Sequence, residues 1–275
     1  MTTRGSAKLP GAGGRAAIID RAAALAENLA AWVIVRMRHS QISMTSTKTN
    51  EADFVTDIDL SVEMWVRERV LEQFPRHGFI GEEFGQTDGA EFVWYCDPID
   101  GTTNFACGLP WHSFSLAMVD EDGPVVGVVA DPRTGEVFTA VRGRGARLDG
   151  SPLEVRKRSG VTGSLFLTEL QGAVPWQGMS AMIELLSREH VTSRIMGSST
   201  LSVTGLAAGR GQTCVISDFG PVDLLAGVLI ASEAGMVVLD EAGEATLFPT
   251  SGGILVTHPG MAARMHELWT VSRSS

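Results

Sequence analysis

Between Phe92 and Phe105 an aromatic and β-branched run, Phe92-Val-Trp-Tyr-Cys96, ends in Asp97-Pro98-Ile99-Asp100-Gly101-Thr102-Thr103-Asn104-Phe105. Aromatic and β-branched residues suit a pleated, half-buried surface, whereas Pro98 has no N–H to give a ladder and Gly101 tolerates backbone angles closed to other residues. The stretch therefore predicts a strand running into a turn, with Asp97 and Asp100 offered at the strand end. Two carboxylates three residues apart across a turn can converge on one hard cation, and the Ile99 carbonyl can add a further oxygen. The same residues also suit a polar turn closed by an Asx hydrogen bond, and spacing alone does not choose between the two.

The rest of the chain can support a buried site of that kind. With 275 residues, 44% of them apolar, and a mean hydropathy of +0.11, it is long and apolar enough for a large core. It has no run of about 18 or more uncharged apolar residues. The first residues lack the apolar centre of a signal peptide, so a cytoplasmic protein is expected. Cys96, Cys107 and Cys214 fall in no ligand spacing and suit reduced thiols. A net charge of −10 argues against a nucleic-acid polymer as partner. A small phosphate ester remains compatible, because a bound cation reverses the local sign.

Taken in order, residues 1 to about 15 are Gly, Ala and small polar residues and are expected to be disordered. Ile18, Ala22, Leu25, Leu29 and Trp32 recur at steps of three and four, which predicts an amphipathic helix over about 16–38. Thr45 to Asn50 reads as a loop arriving before Asp53. Asp57 or Asp59 then caps a second helix, in which Val62, Val66, Val70 and Phe74 recur every four residues up to Pro75. Gly81-Glu82-Glu83 follows an apolar pair and, alone, reads as a solvated acidic turn. Strands over 113–119, 125–130 and 136–141 form an antiparallel meander. Further helices are expected over 179–187, from Gly197-Ser198-Ser199-Thr200 to about 208, from Pro221 to a stop at Gly235, and over 261–268, with a last strand region from Met236. Asp223 then lies in the first turn of its helix.

The nine residues Asp97 to Phe105 resemble the signature of the inositol monophosphatase family, the magnesium-dependent, lithium-sensitive phosphomonoesterases. Asp53-Phe-Val-Thr56, Gly81-Glu82-Glu83, Val222-Asp223-Leu-Leu-Ala-Gly227 and Glu233-Ala-Gly235 recur in the family's order, so the resemblance spans nearly the whole chain after about residue 15. It implies an α/β (α+β) fold, a layered αβαβα sandwich with mixed and antiparallel sheets, in a single catalytic domain of two α/β lobes over 16–275, often a homodimer. It also implies that Glu82, Asp97 and the Ile99 carbonyl hold one metal and that Asp97, Asp100 and Asp223 hold a second. The cofactor would be two or three magnesium ions, with manganese as the alternative. The ligands are all oxygens and the six histidines are scattered, which suits such hard cations over zinc. Crowded carboxylates of this number need cations or raised pKa values.

By the same resemblance, Thr102 and Asp53 would orient and help deprotonate an attacking water, although Asp53 also suits a cap or turn residue. Thr56 and Glu83 would be outer hydrogen-bond partners of the ligands. Amides at Gly101 and Thr102 would hold phosphate oxygens. Gly197, Ser198, Ser199 and Asp223 would line the side where the alcohol sits. Members acting on inositol phosphate carry an acid seven positions before the last metal aspartate. Here that position is Ile216, the nearest acid is Asp218, and Pro221-Val222 replaces a tryptophan that often precedes Asp223. A site without that acceptor should discriminate less for the polyol. The expectation is a phosphomonoesterase, with inositol monophosphate foremost and relaxed or changed specificity. The alternatives are another ester (histidinol phosphate, a sugar bisphosphate or a 3′-phosphonucleotide) or a non-enzymatic metal- or partner-binding protein.

Overall fold

Period-two burial along the strands shows how the layers stack. In β5 (Val93–Asp100), Trp94 and Cys96 enter one apolar cluster while Tyr95 packs on another; in β6 (Ser113–Asp120), Leu116 and Met118 take the first and Ala117 and Val119 the second. A sheet with both faces apolar must be covered on both sides. The first face is covered by α1 (Ala12–Arg38) and α2 (Asp57–Gln73), through Leu25, Leu29, Val33, Val62, Val66 and Val70. The second is covered by α5 (Ser199–Ala207) and α6 (Pro221–Glu233), through Leu201, Leu225, Leu229 and Ile230. The computed structural model describes residues 12–40, 44–47, 54–89, 91–170, 172–217, 219–249 and 252–274.

The same alternation repeats in a second sheet. Cys214 and Ile216 of β13 (Thr213–Ser217), with Ile254 and Val256 of β15 (Gly253–Thr257), pack toward α5 and α6. Val215 and Leu255 point the other way, toward α4 (Met179–Arg188) and α7 (Ala262–Arg273). The order is therefore helix, sheet, helix, sheet, helix, the sandwich that the resemblance implies. α6 is buried on all sides because it is the filling, and its Ala226 lies so close to Gly127 that a Cβ there would come within 3.1 Å of it.

The larger sheet has eight strands. Besides β5 and β6 it contains β3 (Gly78–Gly81), β4 (Gly85–Thr87), β7 (Gly123–Ala130), β8 (Val137–Val141), β9 (Ala146–Leu148) and β10 (Ser151–Leu153), in the order β10-β9-β8-β7-β6-β5-β3-β4. It is antiparallel except where β3 runs parallel to β5. The smaller sheet has the order β12-β11-β13-β15-β14, with β11 (Leu165–Thr168), β12 (Thr192–Ile195) and β14 (Val237–Asp240). It is mixed, parallel across β12-β11-β13 and antiparallel beyond. Met44–Thr47 and Phe54–Thr56 pair as a small separate hairpin, β1 and β2.

Several boundaries differ from the periodicity: β1 takes up residues 45–47 of the loop expected over Thr45 to Asn50, of which 48–50 lie outside the described residues, and β5 runs on to Asp100 where a turn is expected. α1 begins at Ala12, four residues before the expected start, and the remainder of the segment expected to be disordered, 1–11, falls outside the described residues. The N-cap of α2 is neither Asp57 nor Asp59 but Thr56, whose hydroxyl accepts from the Ile58 and Asp59 N–H groups while the Asp59 carboxylate accepts the Thr56 N–H at 2.9 Å. Such a reciprocal box satisfies helix-end donors on both sides of the cap. The closing helix α7 runs on to Arg273.

Candidate active site

Asp97 and Asp100 share a face because β5 carries a bulge. Asp97 pairs with Ser115 and Asp100 with Ser113, three steps on β5 against two on β6. In a regular strand residues three apart point to opposite faces, and one extra residue inverts the alternation. Hence Ile99 enters the α1/α2 cluster, and both aspartates turn to the α5/α6 side. Pro98 sits inside the bulge, where a missing ladder donor is tolerated.

Asp97 is 2% exposed, and its Oδ1 accepts the Ile99 N–H at 3.0 Å. Burial pushes its carboxyl well above the usual range, reinforced by the charges of Glu82, Asp100 and Asp223 and by a hydrogen bond with Glu82. Glu82 reaches it from the end of β3, where the Glu82 N–H extends the parallel ladder to the Cys96 carbonyl. Asp223 comes from the first turn of α6, with Pro221 as the first helical residue, and its Oδ2 accepts the Gly220 N–H at 2.8 Å. Asp100 is also raised by burial, but donors offset this: the Ser198 hydroxyl, the Thr200 N–H at 2.8 Å and the Ser199 hydroxyl at 3.0 Å. The sequence-predicted ligands Glu82, Asp97, Asp100 and Asp223 thus belong to one electrostatic group.

Gly101 follows at φ +88°, as the N-cap of α3 (Thr102–Ala106); a Cβ there would lie 2.7 Å from the Gly197 carbonyl, so glycine allows the two turns to touch. Asn104 bolts them together, donating at 2.7 Å to both the Trp111 and Met196 carbonyls. The first N–H groups of α3 have no partner within the helix and are suited to oxyanion oxygens. Thr102 Oγ1 lies 2.8 Å from the Ile99 carbonyl and 3.3 Å from Asp59 Oδ1. Asp59 is fully buried, and its other oxygen is held by Thr56, so Thr56 acts on this pair through the cap.

Asp53 lies outside the described residues, as does Asp218. The described carboxylate that meets Thr102 is Asp59, which the sequence reading placed only as a cap candidate; its signal was a Thr-x-x-Asp box just ahead of the apolar run of α2. Glu83 enters through its backbone, donating its N–H to buried Glu63 at 2.6 Å. Gly197, Ser198 and Ser199 do gather at the site, but the two serine hydroxyls donate to Asp100. Ile216 is 3% exposed and packs with Leu224 and Val228, so it offers no acceptor to a substrate. Glu169, missed in the sequence, holds this side: its carboxylate accepts the Gly197 N–H and, at 2.6 Å, the Ser202 hydroxyl. Two surface grooves of 820 and 640 Å³ flank residues 154–158 and contain none of these carboxylates.

Among the described residues no group of three or more His, Cys, Asp or Glu side chains is closed into a ready-made metal cage. The donor set nevertheless fits a hard divalent cation. It consists of carboxylate oxygens and the Ile99 carbonyl, and Asp97 is burdened by three like charges that a cation would neutralise. Histidine does not compete for it: buried His77 accepts the Trp94 indole N–H at 3.0 Å, and burial lowers its pKa to about 4.

A model of the inositol monophosphatase family matches residues 16–272. Inositol monophosphatase 2 of Solanum lycopersicum is 36% identical over 201 residues, covering 70% of this chain and 76% of that protein. Nus factor SuhB of Pasteurella multocida is 36% identical over 248 residues, covering 88% and 90%. Among solved structures, an IMPase of Thermotoga maritima superposes with a TM-score of 0.79 at 26% identity, covering 93% of this chain and 98% of its own. The suhB extragenic suppressor protein of Bartonella henselae superposes with a TM-score of 0.80 at 25% identity, covering 89% and 96%.

Proposed function

Since this chain belongs to the inositol monophosphatase family, we propose that it is a magnesium-dependent phosphomonoesterase whose foremost substrate is inositol monophosphate. The observation that carries the reading is buried Asp97, with Glu82, Asp100 and Asp223 around it and the Thr102–Asp59 pair alongside. Glu82, Asp97, Asp100, Asp223 and the Ile99 carbonyl would hold the ions. When bound, divalent cations polarise the phosphate and lower the pKa of a coordinated water. The protein's own part is positional. Thr102 and Asp59 orient the attacking water, and Asp59 accepts its proton. Amides at Gly101 and Thr102 hold the phosphate oxygens, and Asp223 and Ser199 face the leaving alcohol. On the same reading the enzyme works in the cytoplasm as a homodimer, as members of the family often do.

The relatives include both inositol monophosphatases and proteins named Nus factor SuhB, so the family alone does not fix the ester. Buried Ile216 favours relaxed discrimination, because a site without a dedicated acceptor rejects analogues weakly. The test is phosphate release from a panel of phosphomonoesters with magnesium, using Asp97→Asn as control. Activity in the parent and a loss of at least about a thousandfold in the variant are expected, since removing a metal-binding carboxylate takes away charge stabilisation at the reacting centre. The ester ranking should spread by less than about a hundredfold around inositol monophosphate. A folded protein that binds magnesium yet is silent on every ester would overturn the reading.

A further inference from the structure

Glu63 is fully buried in α2, 20 residues before the acidic turn it serves. Its Oε2 accepts the Glu83 N–H at 2.6 Å and its Oε1 the Phe84 N–H at 3.1 Å. These are the two peptide groups that follow Glu82, so one carboxylate fixes the backbone just past that side chain. On the other side of Glu82, Gly81 is packed against the same group: a Cβ at Gly81 would fall 2.0 Å from Glu63 Oε1. The carboxylate thus occupies the space that a side chain at Gly81 would need. Arg67, one helical turn on, pairs with Oε1 at 2.9 Å, donates to the Gly85 carbonyl at 2.7 Å and to the Thr87 hydroxyl at 2.9 Å, and lies over the Phe79 ring. The whole turn from 81 to 87 is therefore tied to α2 through Glu63 and Arg67.

We propose that Glu63 is a positioning residue for metal binding: by clamping the Gly81–Phe84 turn to α2, it aims Glu82 at Asp97. The inference rests on the proposed phosphatase reading for its ligand, a divalent cation, but not for its test. Glutamine cannot replace Glu63, because both carboxylate oxygens face N–H donors and an amide group would set a donor against a donor in either orientation. A backbone released after Glu82 lets that ligand swing, and loss of a group that orients a metal ligand weakens metal affinity by about 10–100-fold.

The experiment measures magnesium binding by calorimetry on the full chain for the parent, Glu63→Gln, Gly81→Ala and Val66→Ala, with folding checked by circular dichroism and phosphate release followed over magnesium concentration. Glu63→Gln should weaken magnesium binding by about 10–100-fold and raise the half-saturating magnesium correspondingly, with kcat at saturating magnesium kept within about threefold. Gly81→Ala should do the same from the opposite side of the contact. Val66→Ala, a core truncation elsewhere on α2, should lower Tm and leave magnesium affinity unmoved. A folded Glu63→Gln protein with the parent's magnesium affinity, or a parent that binds no magnesium, overturns the proposal. Tight magnesium binding without phosphate release would instead overturn the phosphatase reading and leave the role of Glu63 standing.

Discussion

Glu63 and Glu169 are both buried carboxylates that take backbone N–H groups from a turn of the site, Glu63 just past Glu82 and Glu169 just before Ser198. Glu63 accepts from Glu83 and Phe84 and has Arg67 at 2.9 Å. Glu169 accepts from Gly197 and the Ser202 hydroxyl. Burial pushes its pKa up to about 7, with those two bonds working against the shift and the charge of Asp100 adding to it. The difference lies in what faces each oxygen. Every partner of Glu63 can only donate, so both of its oxygens are needed as acceptors. Ser202 can donate or accept, so Glu169 can hold its turn with or without a proton. The Gly81–Phe84 turn is held by an acceptor that faces only donors, and the turn at Gly197 by hydrogen bonds that outlast neutralisation.

The largest expected effect that would break this contrast is on stability. Glu63→Gln leaves Arg67 without its counter-charge and an N–H donor without an acceptor, which should cost about 3 kcal/mol. Urea midpoints across pH 5–9 check it, and a loss no greater than that of Glu169→Gln would erase the distinction. Next comes the pH dependence of Glu169. Because its folded pKa is raised from 4.5 to about 7, the native state binds the proton more tightly than the unfolded chain. Its stabilising contribution is complete below the unfolded value and is lost as pH rises through about 7. Between pH 6 and 8.5 the parent should lose roughly 1.4 kcal/mol from this group. Glu169→Gln, with its amide turned to donate to Ser202, should lack that decline and close the gap on the parent as pH rises. Parallel stability curves for the two proteins would show that Glu169 stays ionised throughout.

Local chemistry was legible and long-range pairing was not. The meander of β6 to β8, the helix that Pro221 opens just ahead of Asp223, and the strand that carries Asp97 follow from alternation, proline and glycine, which act over a few residues, whereas the strand's continuation to Asp100 does not. The bulge that brings Asp97 and Asp100 to one face depends on the register against β6, which nothing within β5 specifies. Asp59 was visible as a cap candidate, but its approach to Thr102 spans 43 residues. Asp100 meets Ser198 across 98 residues and Glu169 meets Gly197 across 28. Glu63 is one acid among many on an amphipathic helix until the fold sets Gly81 against it. Ile216 could be read as a missing acceptor, but only the packing of β13 on α6 shows that its side chain has left the site for the core.

The smallest expected effect tests how Ser202 works. Its hydroxyl donates at 2.6 Å to Glu169 and so favours the charged form. In Ser202→Ala that donor is gone, and the folded pKa of Glu169 should rise further. The window in which stability is lost with rising pH then moves upward. Below pH 6 the variant loses only the neutral bond between protonated Glu169 and the hydroxyl, so it should lie about 0.5 kcal/mol below the parent; near pH 8.5, where the carboxylate must form, the lost bond is one to a charge and the deficit should approach about 1 kcal/mol. Urea titrations at the two pH values decide it. An equal deficit at both would mean that Ser202 serves packing in α5 and not the charge of Glu169.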